Sequence, residues 1–389
     1  MKILVIGISV RAMVASAVQS GYQVAALDAF GDRDLMELAE SYSLRRDFKA
    51  DYSPEALWQF SRGLSFEAVT YTSNLENHPE ILAEFSRAGI LIGNNPETVS
   101  RVRNWPCLFE RLRQAGFLVP DTLFERKSLT TDSGGRWLQK PVLSGGGHGI
   151  HFCDPWNVFP DEGRTDDNAS PFMIQQYISG RSCSAAFATN GEGSVVLGIS
   201  EQLIGMSAFG AADFRYCGNL VPLPEMLDPI AAKDILGKVR CMADWLAREY
   251  GLVGVNGIDF ILKDGQLYLT EVNPRYAASM EIIETAYQLP IFQIHIESVL
   301  HSRLPKFDLE TAMNTGKFYG KSYLFADKDV TIPNTESWRQ RGIRDVPQSG
   351  EYIRKGMPVC TVRRKDSTRT DTLAAMMRQA AEIRDEIHG

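Results

Sequence analysis

The sequence predicts a mixed α/β chain folded as three packed units, and three observations carry that prediction. The chain has 389 residues, more than one core ordinarily serves, since domains cluster near roughly 100 to 150 residues. Its first third alternates short β-rich apolar runs with helical stretches, the pattern of a parallel sheet. From Pro305 onward, short strands precede a closing helix. A composition of 44% hydrophobic and 23% charged residues, with mean hydropathy of −0.18, fits a folded chain rather than a disordered one.

Lys2 to Ile6 reads as a strand, Ala12 to Gly21 as a helix rich in small residues, and Gln23 to Leu27 as a second strand ending at Asp28. This βαβ opening continues through Glu67 to Thr72 and Ile90 to Gly93, giving a Rossmann-like unit over residues 1–100. The first turn, Gly7-Ile8-Ser9-Val10-Arg11, falls short of Gly-x-Gly-x-x-Gly, so a structural unit is expected there rather than an NAD site. One helix is expected from Thr98 to Ala115, ended by Gly116 and Pro120. Thr130 to Arg136 and Asp161 to Ser170 are polar and read as surface loops. A middle unit over 101–304, with a lid at 136–180, is followed by a small unit over 305–389. The latter is expected to hold strands at Lys321 to Phe325 and Pro358 to Arg363 and a helix from Asp371 to His388.

The charge balance excludes some partners. The 41 basic and 48 acidic side chains, net −7, are spread along the chain without a basic stripe, so no nucleic acid is expected. Cys107, Cys153, Cys183, Cys217, Cys241 and Cys360 form no Cys-x-x-Cys pair and read as reduced thiols. The apolar opening is too short for a signal segment or a membrane span, so no membrane association and a cytoplasmic location are expected.

Three segments carry chemistry. In Leu138-Gln-Lys140-Pro-Val-Leu-Ser144-Gly145-Gly146-Gly147-His148-Gly149, four glycines lie within five positions. Each costs roughly 0.5 to 1 kcal/mol relative to Ala in a regular element, so packing does not justify them. Their N–H groups can wrap a polyphosphate beside the Lys140 ammonium. The second segment, Gly257-Ile-Asp259 to Glu271-Val-Asn273-Pro-Arg275, reads as a β-hairpin around Lys-Asp-Gly-Gln. An odd loop, a type I turn with Gly265 as bulge residue, would put Asp259, Glu271 and Asn273 on one face. Two carboxylates and an amide oxygen there select Mg²⁺ or Mn²⁺. Arg275 adds a fixed charge. The third segment, Phe172 to Gly180, is an apolar strand whose hinge, Gln175, Gln176, Tyr177 and Ile178, can offer backbone groups to a nucleobase; a plain core strand is the competing reading.

In this order and spacing the segments resemble the ATP-grasp superfamily, and nearly the whole chain takes part. The resemblance implies an ATP-grasp fold with a Rossmann-like preATP-grasp unit, and residues 306–366 are similar to the C-terminal unit of biotin carboxylase-like members. It implies ATP held by Lys140, Ser144, Gly145, Gly146, Gly147 and the hinge, and Mg²⁺ or Mn²⁺ held by Asp259, Glu271 and Asn273. Ser184-Ala-Ala-Phe, Glu201-Gln202-Leu-Ile-Gly205 and Phe214-Arg215 to Pro222 resemble predicted ATP-dependent carboligases related to biotin carboxylase. The resemblance implies that Arg215 and Gln202 contact the transferring group, with Arg275, Lys140 and Arg215 as the catalytic set. The chain departs from the family pattern at Trp105, where a first ATP-binding lysine is usual and Arg103 is a substitute, at Gln175, an acid in relatives, and at Ser182, where a ribose-binding acid is absent.

The resemblance implies a ligase joining a small-molecule carboxylate to an amine through an acyl phosphate, releasing ADP and phosphate; a homodimer is compatible with it. Two alternatives stay open: a carboxylase acting on bicarbonate, without biotin because the chain has no Met-Lys-Met carrier segment, and a nucleotide-binding protein whose catalytic site has decayed.

Overall fold

The computed structural model describes residues 1–125, 135–154, 171–313 and 316–389. Of the two polar stretches expected as surface loops, residues 130–134 and 161–170 lie outside the described residues.

The chain opens as a parallel five-stranded sheet of order β3-β2-β1-β4-β5. Its strands are β1 (Ile3–Ile6), β2 (Val24–Asp28), β3 (Glu40–Ser43), β4 (Ala68–Tyr71) and β5 (Ile90–Leu91). The helices between them are α1 (Arg11–Gln19), α2 (Arg33–Leu38), α3 (Pro54–Ser61) and α4 (Pro79–Ala88). At the β1–α1 turn, Gly7 has φ of +156° and a Cβ there would overlap Thr72 Oγ1. The Ile8 N–H donates to Ser73 O at 2.8 Å and Ala29 N–H to Ile8 O at 3.1 Å. The turn is packed onto neighbouring backbone, where a dinucleotide pyrophosphate would have to approach.

The helix expected across Thr98 to Ala115 is two: α5 (Pro96–Val102) and α6 (Trp105–Gln114). Asn104 divides them. Its side chain accepts from the Cys107 N–H, and Pro106 occupies the first turn of α6, where a missing N–H costs nothing. Arg103, in the break, is thereby turned toward the cleft described below.

The centre of the molecule is a seven-stranded antiparallel sheet of order β14-β13-β10-β11-β12-β15-β18. It comprises β10 (Arg181–Asn190), β11 (Ser194–Ile204), β12 (Tyr216–Val221), β13 (Val253–Lys263), β14 (Gln266–Asn273), β15 (Phe318–Phe325) and β18 (Pro358–Asp366). Two strands from the region read as a third unit therefore extend the sheet of the second. A four-stranded sheet of order β6-β9-β7-β8 makes the lid, from β6 (Thr122–Leu123), β7 (Trp137–Pro141), β8 (His151–Cys153) and β9 (Phe172–Gln176). The small pair β16 (Val330–Thr331) and β17 (Tyr352–Ile353) decorates the C-terminal part.

Helix α7 (Pro229–Tyr250) covers one sheet face through Ile235, Val239, Met242 and Leu246, in one core with Leu108 and Leu112 of α6. Helices α8 (Met280–Tyr287) and α9 (Ile291–Leu300) cover the other, in one core with Val5, Met13 and Val14 of the first unit. After the short α10 (Leu309–Ala312), α11 (Arg369–His388) closes a third core around Trp338, Phe325 and Val362. The three cores share one central sheet, which fixes the first unit against the face that carries Asp259.

The β13–β14 hairpin turns by a different route from the one expected. Asp264 and Gly265 have φ of 50° and 71°, and Lys263 faces Gln266, so the loop is a two-residue turn with both central residues left-handed. That even loop would set Asp259 opposite Thr270. A bulge corrects it: Phe260 pairs with Leu269 and Asp259 with Glu271, leaving Thr270 as the extra residue. The Thr270 hydroxyl donates to Asp259 O at 3.0 Å, pinning the bulge. One inserted residue thus brings the two carboxylates onto a common face.

His295 of α9 joins the first unit to the sheet. Its Nδ1 accepts from the Val255 N–H at 3.0 Å, which leaves the proton on Nε2, 3.2 Å from Ile92 O and 3.3 Å from Thr70 Oγ1. Burial lowers its pKa to about 4. The neutral ring therefore contributes stability above the usual histidine pKa, and that contribution is lost as pH falls through about 4. We expect the stability gap between wild type and His295→Gln, read from urea melts, to narrow as pH falls from 7 to 4. The slope is about 1.4 kcal/mol for each pH unit in which only the unfolded ring titrates. A gap independent of pH would remove this assignment.

Candidate active site

The floor of the cleft is the end of the β13–β14 hairpin. Asp259 and Glu271 face each other across the strands, and Asn273 Nδ2 donates to Asp259 Oδ2 at 3.1 Å. Burial, then the Glu271 charge, pushes the Asp259 carboxyl up to about 6, with hydrogen bonds from Ser184 and Asn273 acting the other way. Two acids facing each other repel, and a divalent cation would relieve that repulsion.

Arginines surround this floor. Arg275 Nη2 donates to Asn273 Oδ1 at 3.0 Å and to Glu76 Oε1 at 2.6 Å. Burial disfavours the Glu76 charge, but Arg275 and Arg103 more than offset that and hold its carboxyl below the usual range. Arg103 Nη1 donates to Glu271 Oε1 at 2.9 Å and Nη2 to Asn77 Oδ1 at 2.5 Å, and the guanidinium lies 4.3 Å from the Trp105 ring centre. Among the described residues, the buried Glu76 Oε2, Arg103 Nε and Arg275 Nε have no hydrogen-bond partner. These unspent polar atoms border the acids, and together with hard oxygen donors they fit a hydrated divalent cation carrying an anionic ligand.

Lys140 ends its strand inside the same cleft. Burial lowers its pKa, while Glu271 and Asp259 act to raise it. Its Nζ donates to Gln175 Oε1 at 3.0 Å, and Gln175 Nε2 donates to Thr122 Oγ1 at 3.1 Å. The Gln175 side chain is thus buried and orients Lys140. In the hinge, the Gln176 N–H is spent on Asp121 O at 2.7 Å and the Tyr177 N–H on Arg136 O at 2.8 Å. Among the described residues the Ile178 N–H has no protein acceptor, so it is the hinge donor open to a base edge.

The glycine loop is docked rather than free. Ser144 Oγ donates to His148 O at 2.8 Å, and the Tyr216 N–H to Gly146 O at 3.0 Å. Gly147 has φ of +76°, and a Cβ on it would overlap the Phe214 carbonyl oxygen. His148 Nε2 and Arg215 Nη2 are 3.4 Å apart, with Arg215 stacked 3.9 Å from the Phe325 ring centre. Phe214 also meets Phe152 at 5.1 Å and Tyr177 at 6.2 Å. Arg215 therefore bridges loop and C-terminal strand, and burial lowers its pKa. Gln202 sits opposite Asn219 on β11, half-buried, on the sheet face shared with Ser200.

Sequence reasoning missed Glu76, Asn77, His148 and Phe214. Glu76 and Asn77 lie in a short 3₁₀ turn of the first unit (Leu75–Asn77) with no local pattern, and only the tertiary fold brings them under Arg275 and Arg103. The motif itself could have flagged His148, since it interrupts the glycines. Arg103, read as a substitute phosphate cation, instead spends two donors on Glu271 and Asn77.

Residues 105–279 match the ATP-grasp domain family. These residues form an ATP-grasp domain. It is 27% identical over 391 residues to an uncharacterised protein of Methanocaldococcus jannaschii, covering 95% of this chain and 90% of that protein. In fold the chain is similar to the biotin carboxylase domain of the Hydrogenobacter thermophilus 2-oxoglutarate carboxylase, solved as a dimer with MgADP, ADP and bicarbonate. The TM-score is 0.72 at 15% identity, over 98% of this chain and 89% of that one. It is also similar to the L-amino acid ligase of Bacillus licheniformis, with a TM-score of 0.67 at 16% identity over 98% and 97%. Among the described residues no helix is long and apolar enough to cross a membrane.

Proposed function

We propose that this ATP-grasp protein is a ligase that activates a small-molecule carboxylate with ATP and passes the acyl group to an amine. The observation that carries the reading is the convergence of Asp259, Glu271, Asn273, Arg275 and Lys140 on one cleft under a docked glycine loop. Mg²⁺ held by Asp259, Glu271 and Asn273 would supply charge neutralisation on the phosphates. Lys140, oriented by Gln175, and Arg275, braced by Glu76, hold fixed positive charge where negative charge develops. The loop over Gly145–Gly149 excludes water from the cleft, and the Ile178 N–H positions the base.

In the balanced reaction a carboxylate oxygen attacks the γ-phosphorus and ADP leaves. The amine then attacks the acyl carbon, phosphate leaves and the amine loses a proton. An organic acid, rather than bicarbonate, is favoured by the aromatic wall beside the acids. Tyr216 and Tyr323, both half-buried, have ring centres 6.0 Å apart, and burial, then Tyr323, then the Asp259 charge raise the Tyr216 pKa. A carbon skeleton has apolar surface to meet there.

The test is product analysis with a library of carboxylates and amines. ADP and phosphate are expected, with ¹⁸O passing from carboxylate to phosphate and a hydroxamate forming when hydroxylamine replaces the amine. AMP with pyrophosphate would exclude the reading. Bicarbonate-dependent ADP release with no hydroxamate would replace it with carboxylation, and tight ATP binding without turnover would replace it with a binding role. Lys140→Met is expected to lower kcat/KM for ATP by roughly 10² to 10³, the size of one lost charged donor at a developing anion. Unchanged kcat/KM would show that Lys140 meets no phosphate.

A further inference from the structure

Away from the Asp259 cleft, α1, α2, α8 and the C-terminal region enclose a second concavity. This cleft, about 350 Å³, is lined by Arg11, Ser16, Glu281, Glu284, Arg344 and Arg363, among others. A neighbouring cleft of the same size lies against Arg33, Thr335 and Gln340, and Asp34, Arg339 and Arg344 border both. Four arginines, Arg11, Arg339, Arg344 and Arg363, thus line the first cleft, where three parts of the chain meet.

The acids that line the first of these clefts are already engaged. Glu281 takes Arg11 at 2.5 Å, Lys321 at 2.8 Å and Arg363 at 3.3 Å. Asp34 accepts from the N–H groups of Asp345 and Val346 at 3.1 and 2.9 Å, and Asp345 takes Arg11 at 2.9 Å. Glu284 accepts from Ser16 Oγ at 2.7 Å, and Arg339 pairs with Glu37. Arg344 is the exception. Half-buried, it donates from Nη1 to Ile343 O at 2.8 Å and to Arg339 O at 3.4 Å, and it has no carboxylate partner among the described residues. Burial, then the charges of Arg363 and Arg11, lowers its pKa, and the more distant Asp34 and Glu281 only partly offset this. A half-buried guanidinium facing like charges is costly unless an anion joins them. Planar guanidinium forks at Arg344 and Arg363 match a carboxylate or a phosphate.

We propose that this cleft binds a small molecule through an anionic head, a carboxylate or phosphate, held by Arg344 and Arg363. The site is separate from the cleft assigned to ATP, but the two communicate. Arg363 shares Glu281 with Lys321, and Lys321 donates to Ala278 O at 3.0 Å, in the loop that follows Arg275. An anion drawing Arg363 toward itself alters the charge balance at that loop.

The experiment is a calorimetric titration of the full chain without nucleotide, using inorganic phosphate in one arm and succinate in the other at fixed ionic strength. Saturable binding is expected in at least one arm, and that arm identifies the head group. Arg344→Gln is expected to weaken it at least 10-fold, and Arg344→Lys to restore part of the loss. Because Arg344 makes only backbone hydrogen bonds, the Gln variant should melt within a few degrees of wild type in the absence of ligand. Glu271→Gln, which disables the proposed ATP site, should bind the probe as wild type does, so the two proposals fail separately. No saturable binding in either arm, equal binding by Arg344→Gln, or loss of binding in Glu271→Gln would each overturn the inference. So would a dimer, seen by light scattering, that Arg344→Gln dissociates while neither probe binds.

Discussion

Glu271→Gln is expected to abolish ATP turnover while leaving the fold in place. The side chain faces Asp259 across the hairpin, and with Asn273 it offers the hard oxygens a Mg²⁺ ion needs. Gln retains the shape and one oxygen but removes the charge that answers the cation. A loss of at least roughly 10³ in kcat is expected, since a metal-dependent step forfeits both charge neutralisation and positioning. Stability should hardly move. The Gln oxygen can still accept from Arg103, whose other contacts, to Asn77, Val272 O and the Trp105 ring, are untouched. A cost under about 1 kcal/mol is expected. The two readouts are ADP release under saturating Mg-ATP and a thermal melt. Retained turnover would withdraw Glu271 as a metal ligand, whereas lost turnover with a collapsed melt would mean the residue serves the fold.

Much of the architecture was legible because hydrophobic period and turn chemistry are local. Lys2 to Ile6, Gln23 to Leu27 and the closing helix appear where their patterns put them, since each buries a contiguous apolar set in a shared core. The break at Asn104 went unread although its signal was present: a capping Asn followed by Pro106 outranks helical periodicity on both sides. The hairpin shows a subtler limit. Asp264-Gly265 is a strong signal for a two-residue turn, but nothing in the sequence announces the bulge at Thr270. An odd loop and a two-residue turn with this bulge both put Asp259 and Glu271 on one face, so the expected pairing was reached through the wrong geometry.

The site divides along the same line. Residues within a motif, from Lys140 through Gly149 and from Asp259 to Arg275, could be singled out because their types and spacing have no packing purpose. Glu76, Asn77 and Arg344 could not, because their significance is the charge that a distant segment places beside them. Gln175 was singled out for its place in the hinge, but its side chain serves Lys140. Backbone recognition and side-chain recognition leave the same trace in sequence and different ones in space.

Gly147→Ala should separate chemistry from nucleotide binding. At φ of +76° an alanine is strained by roughly 1 to 2 kcal/mol. Its methyl would also overlap the Phe214 carbonyl oxygen, which belongs to a backbone held by the Tyr216 N–H to Gly146 O bond and cannot swing aside. The loop is then displaced from Phe214–Tyr216, and His148 is displaced from Arg215 with it. Lys140, Asp259 and Glu271 are untouched, so nucleotide affinity should fall less than about 10-fold, while kcat falls by roughly 10², the usual penalty for a reacting group misplaced by about 1 Å. Gly145→Ala is the control. That residue's φ is not positive and a Cβ there would meet nothing within 4 Å, so near-normal kcat is expected. Equal kcat for Gly147→Ala and wild type would mean that docking onto Phe214 plays no part in turnover. Equal losses in both variants would trace the effect to glycine content rather than to the Phe214 contact.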